Sequence, residues 1–161
     1  MTTENTAQTP ASEQNQQAEQ AFALQRVYLK DVSLEMPNAP HVFLEQEAPN
    51  VEIALNVGGQ RLADTVFEST VRVTITTKIA DQVVYLLETT QAGIFEIANF
   101  DDGQLDPLLG IVCPSMLFPY LRANVADIIN RTSLPPLHLA EVNFQTLYEQ
   151  NIQAAQQETK Q

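Results

Sequence analysis

Residues 29–43 read LKDVSLEMPNAPHVF, a strand pattern that stops at one proline and cannot restart before a second. Val32, Leu34 and Met36 share one parity and Asp31, Ser33 and Glu35 the other. A period-2 strand therefore lines two carboxylates along one face and apolar side chains along the opposite one. Pro37 and Pro40 fix φ and bias their predecessors away from helix, which predicts an extended crossover carrying His41, Val42 and Phe43. A strand edge leading into a long, apolar-tipped loop suits a binding surface better than a catalytic one.

The first strand of this reading runs from about Phe22 to Met36, and three more follow. From Val51 to Val57, Val51, Ile53, Leu55 and Val57 alternate with Glu52, Ala54 and Asn56, and Gly58-Gly59 reads as the closing turn. From Val66 to Ile79, Phe67, Val71, Val73 and Ile75 oppose Glu68, Thr70, Arg72, Thr74 and Thr76; from Val83 to Gln91 the run VVYLL is apolar on both parities. Asp81-Gln82 is short enough to make the last two a hairpin. The period then changes. Leu117, Leu121, Val125, Ile128 and Ile129 follow 3.6-residue spacing, predicting a helix from Leu105 to Arg131 that Pro114 and Pro119 break or kink in its first half. A shorter helix from Phe144 to about Ile152 has Asn143 as its cap. Strands followed by helices indicate an α+β fold, with one domain over residues 21–153 between polar tails at 1–20 and 154–161 that read as disordered.

Charge narrows the partners. Twenty acidic against eight basic residues give a net charge of −12, which repels nucleic-acid phosphates and anionic lipid. No apolar run approaches the roughly 18–20 residues of a membrane span, and the N-terminus lacks a signal-peptide pattern. The lone Cys113 forms no internal disulfide and reads as an apolar filler. His41 and His138 stand far apart without ligand spacing, and no phosphate loop, dinucleotide fingerprint or nucleophile elbow occurs. The chain reads as a non-enzyme with no cofactor and no metal. Because VVYLL is apolar on both faces, part of the sheet needs cover from another subunit, with Leu87 one candidate for that contact.

Two residue sets carry binding chemistry. Asp31, Glu35 and Glu88, with Leu86 two residues from Glu88, form either an ordinary solvated sheet face or an acidic docking surface for a basic partner. Phe43, Val51, Ile53, Leu55, Phe144, Leu147 and Tyr148 are either plain core or an apolar binding surface.

Four motifs bear on that choice. The run KDVSLEMPNAPHVF, the pair Ala92-Gly93 leading into Ile94-Phe95, the segment CPSMLFPYLR, and the ending LPPLHLAEVNFQTLY resemble the bacterial SecB family of protein-export chaperones, in order from about Phe22 to Ile152. The resemblance implies a four-stranded antiparallel sheet packed on a long kinked helix and a shorter C-terminal helix, assembled as a cytoplasmic homotetramer, a dimer of dimers. It implies that unfolded secretory precursor proteins are held without ATP and delivered to the motor SecA. Asp31, Glu35, Leu86 and Glu88 match the family's motor-docking surface; the crossover loop, second strand and last helix, with Phe43, Val51, Ile53, Leu55, Phe144, Leu147 and Tyr148, correspond to its client groove. The stretch Leu44-Glu45-Gln46-Glu47 lacks the tryptophan found in some relatives. An adaptor for one folded partner is the competing reading, and it predicts selectivity for a folded protein where a chaperone binds many non-native ones.

Overall fold

A computed structural model of the chain describes residues 18–159; most of the N-terminal tail and the last two residues lie outside that range. Four strands, β1 (Ala21–Glu35), β2 (Asn50–Arg61), β3 (Val66–Ile79) and β4 (Gln82–Ala98), make one sheet in the order β1-β4-β3-β2. Every neighbouring pair is antiparallel. β2, β3 and β4 form a meander, and β1 lies at the far edge, beyond β4. The proline-rich segment must therefore carry the chain from one edge of the sheet to the other.

That crossover is less extended than its prolines predict. Residues His41–Leu44 wind into a single 3-10 turn, with Val42 buried in the core while Phe43 and Leu44 face solvent. The Asn38 side chain donates to the Val83 carbonyl at 3.0 Å, tying the loop to the start of β4. One apolar anchor is gained by giving up the extended backbone.

Two strand ends also differ from the pattern. Gly58-Gly59 predicts a turn, yet both glycines lie inside β2, opposite Thr70 and Ser69. A Cβ on Gly59 would sit 2.9 Å from the Glu68 carbonyl oxygen, so this is a close strand approach. The chain turns after Arg61 instead, where the Leu62 amide donates to the Val66 carbonyl at 2.8 Å. The β3–β4 turn is made by Ala80 and Asp81, with φ of 49° and 62°, the paired positive values of a two-residue hairpin loop.

Alternation assigns the two faces. The odd positions of β3 and β4, from Phe67 to Thr77 and from Tyr85 to Ile97, are buried under the helical layer. Leu87 is among them, fully buried within the protomer, so the intersubunit role that VVYLL suggests does not fall on this residue. Gly93 lies against the helix: a Cβ there would meet Leu117 Cδ2 at 2.7 Å, so a bare backbone lets the helix sit close.

The helical layer begins with α1 (Asp102–Pro107), continues through a π turn (Leu108–Val112) into α2 (Cys113–Asn130), and ends with α3 (Phe144–Glu158). Asp101 caps α1 in a reciprocal box with Gln104. The sequence pattern predicts a break or kink at Pro114 and Pro119, but α2 runs through both. The irregularity falls just before Pro114, where the Cys113 amide reaches five residues back to the Leu108 carbonyl. A wider turn suits that position, because proline has no amide to donate and crowds the carbonyl four residues back. α3 continues past Ile152 to Glu158; the Ala- and Gln-rich residues that lengthen it are exposed, so propensity rather than packing carries the extension.

The run Asp102–Asn130 is long and apolar enough, by length and composition, to cross a membrane, against the expectation that no run of the chain approaches that length. Its apolar character is used by the core: Cys113, Leu117, Leu121, Val125 and Ile129 are buried against the sheet.

Candidate binding surfaces

The helix-free face of the sheet carries the acidic set as a grid. On β1, Asp31, Ser33 and Glu35 stand opposite Thr90, Glu88 and Leu86 of β4, and those three stand opposite Arg72, Thr74 and Thr76 of β3. Irregularities between Leu24 and Arg26 and between Leu29 and Asp31 shift β1 against β4, and the second sets Asp31 on this face. Asp31 and Glu35 lie roughly 13 Å apart along the strand, with Glu88 between them one strand over. All four residues of the candidate docking set thus share one solvent-facing surface.

Two features of that face are invisible to periodicity. Arg72 Nη2 pairs with Glu88 Oε2 at 2.8 Å, both side chains being partly exposed. Further along, Glu68 of β3 is buried although it lies on the helix-free side. Lys30 Nζ donates to its Oε1 at 2.6 Å, Gln60 Nε2 donates to the same oxygen at 3.2 Å, and the Tyr28 hydroxyl donates to Oε2. Tyr28 and Lys30 come from β1 and Gln60 from β2, so one carboxylate on β3 ties both edges of the sheet together. Ala92 of β4, opposite Tyr28, is fully buried; its small side chain leaves the route across β4 open. The Lys30 and Tyr28 hydrogen bonds hold the Glu68 carboxyl below its ordinary range, and burial with the Glu68 contact pushes the Tyr28 phenol up to about 12.

The apolar set lies on the other side. α2 packs over β3 and β4, leaving the helix-side face of β2 only partly covered. Ile53 and Leu55, with Val73, Phe118 and residues 139–142, line a small apolar groove of about 160 Å³. Ile53 is 51% exposed. Phe144 is 3% exposed and meets Phe118 edge to face, with ring centroids 5.6 Å apart, which makes it the support beneath the groove. Tyr148 lies elsewhere: its ring covers Gly110 and its hydroxyl donates to Asp106, while Leu147 packs partly buried against the core. Phe43 and Val51 are exposed and form no wall of this groove. Phe118, on the long helix, and the 139–142 segment are the groove residues that the pattern reading omits; the spacing of Phe118 marks it only as part of a buried helix face.

Among the described residues no group of three metal-ligating side chains converges. Cys113 is fully buried, and burial pushes its thiol up to about 12. Two surfaces, one acidic and one apolar, thus lie on opposite sides of one sheet.

The family model described as "Preprotein translocase subunit SecB" matches residues 14–155. A protein-export protein SecB of Bordetella pertussis is 75% identical over 139 residues, covering 86% of this chain and 79% of its own. That of Janthinobacterium sp. is 58% identical over 137 residues, covering 85% and 84%. In fold, the chain is similar to a SecB-like chaperone of Mycobacterium tuberculosis solved with a peptide from the HigA1 antitoxin, with a TM-score of 0.62, 19% identity, and coverage of 75% of this chain and 90% of that one. The chain belongs to the SecB family of protein-export chaperones. SecB is a chaperone family rather than an enzyme class.

Proposed function

We propose that this chain is the subunit of a cytoplasmic homotetramer, a dimer of dimers, that holds unfolded secretory precursors on its apolar helix-side surface and hands them to SecA through its acidic face. The observation that carries this reading is the opposition of the two surfaces: Ile53 and Leu55 face the helical side, and Asp31, Glu35, Leu86 and Glu88 face the other. A client and a motor then need not compete for the same ground. Clients bind through apolar segments and extended backbone, and several weak sites on one oligomer give avidity that permits stepwise release. No nucleotide is needed for holding.

Assembly is supported by what the protomer leaves bare. Leu29 and Val32 on the helix-side face of edge strand β1 are exposed, as are Val112, Met116 and Tyr120 along the helix. These apolar groups favour burial against further copies of the chain.

The test is calorimetric titration of purified SecA into the wild-type chain and the Asp31→Lys/Glu88→Lys variant, beside a dilution-refolding assay with a slow-folding precursor. The variant should lose SecA binding, remain tetrameric and still delay refolding. Native-like SecA affinity in that variant would place docking elsewhere.

A further inference from the structure

We propose that Arg72 is a built-in competitor at the acidic face: by pairing with Glu88 it weakens docking of basic partners and restricts it to those that also engage Asp31, Leu86 and Glu35. This rests on the reading of that face as the motor-docking surface.

The grid holds three carboxylates, and their surroundings differ. Among the described residues, Asp31 and Glu35 have no cationic partner within ion-pair distance, whereas Glu88 already has the Arg72 guanidinium at 2.8 Å. Lys30, the other cation nearby, is committed to Glu68 and stays outside the contest. Arg72 and Asp31 stand two strands apart with Thr90 between them, and both line a shallow depression of about 400 Å³ on this face, floored in part by Thr70, Thr90 and Gly58. A basic side chain approaching the centre of the grid thus meets a guanidinium before it meets a free carboxylate at Glu88.

The physical effect follows from exchange. An incoming lysine or arginine gains little at Glu88 unless Arg72 is displaced, and until then Arg72 repels it. Contact with Asp31 and Glu35 displaces no existing ion pair among the described residues. Docking strength is therefore weighted toward partners that span the grid and cover Leu86 at one end, and away from polypeptides that merely carry one positive charge. Because both members of the pair are partly exposed, breaking it exposes no buried charge.

The experiment titrates SecA into wild type, Arg72→Gln, Glu88→Gln and the double variant at low and moderate salt, with the Asp31→Lys/Glu88→Lys variant as the control on the surface itself. Arg72→Gln should tighten SecA binding about two- to fivefold and steepen its salt dependence. A short lysine-rich peptide used as a non-specific probe should gain at least as much. In the Glu88→Gln background the same Arg72→Gln change should have a clearly smaller effect. Unchanged or weaker SecA binding by Arg72→Gln, while the Asp31→Lys/Glu88→Lys control abolishes it, would overturn the role of Arg72 and leave the docking surface standing. Native-like binding by that control would remove the surface and the role of Arg72 with it.

Discussion

Phe144 packs edge to face on Phe118, with ring centroids 5.6 Å apart and planes at 70°, so the first residue of α3 closes the core beneath the groove that Ile53 and Leu55 line. Support and contact are thereby divided between two residues that look alike in the sequence. Phe144→Ala should destabilise the fold by about 3–5 kcal/mol in urea denaturation, since it empties a buried aromatic site. Ile53→Ala should change stability by under about 1 kcal/mol yet weaken capture of an unfolded precursor, read by fluorescence anisotropy. Equal stability losses for the two would contradict this division.

Assembly should respond at the exposed apolar helix positions and not at Leu87. Tyr120, 48% exposed in the protomer, should yield smaller, folded species when changed to glutamate, seen by sedimentation velocity at micromolar concentration. Leu87→Asp places a carboxylate at a fully buried position under α2 and should abolish the folded far-ultraviolet spectrum rather than release intact dimers.

Acid should loosen the strap across the sheet. The Glu68 carboxyl titrates below its unfolded-state value because it accepts hydrogen bonds from Lys30 first and Tyr28 second. Its contribution is therefore fully present above the unfolded carboxylate value and is lost as the pH falls from there through the lower folded-state value. Glu68→Gln should flatten that part of the stability-against-pH curve in denaturant titrations between pH 7 and pH 3, while Tyr28→Phe, which leaves the Lys30 bond, should flatten it only in part. A Glu68→Gln curve parallel to wild type would deny the strap its role.

Cys113 should be silent to thiol reagents in the native protein. It is fully buried beside Pro114, and burial pushes its thiol up to about 12, so little reactive thiolate exists at neutral pH. Ellman's reagent should react only in denaturant; rapid native labelling would show that the start of α2 opens.

Alternation and helical spacing already determine much of this molecule. β3 begins and ends at Val66 and Ile79, as its pattern predicts, and the parity that separates Asp31 and Glu35 from Val32 and Leu34 holds in the sheet. The Asn143 cap is equally legible, its side chain accepting the Thr146 amide at 3.1 Å. The reason is local: a period of two or of 3.6 assigns each side chain to a face, and a cap needs only its own next turn. What needed the tertiary structure is who stands beside whom. The strand order puts Glu88 within reach of Arg72 and sends Tyr28 and Lys30 across β4 to Glu68, pairings between residues 16, 40 and 38 positions apart. The same holds for the apolar set: Phe144 and Ile53 both lie on apolar faces, but only the placement of α2 over β3 and β4 buries the first and leaves the second open. Periodicity names a face and carries no term for the neighbour across it, and at this protein's surfaces that neighbour separates a free carboxylate from a paired one and a core ring from an exposed side chain.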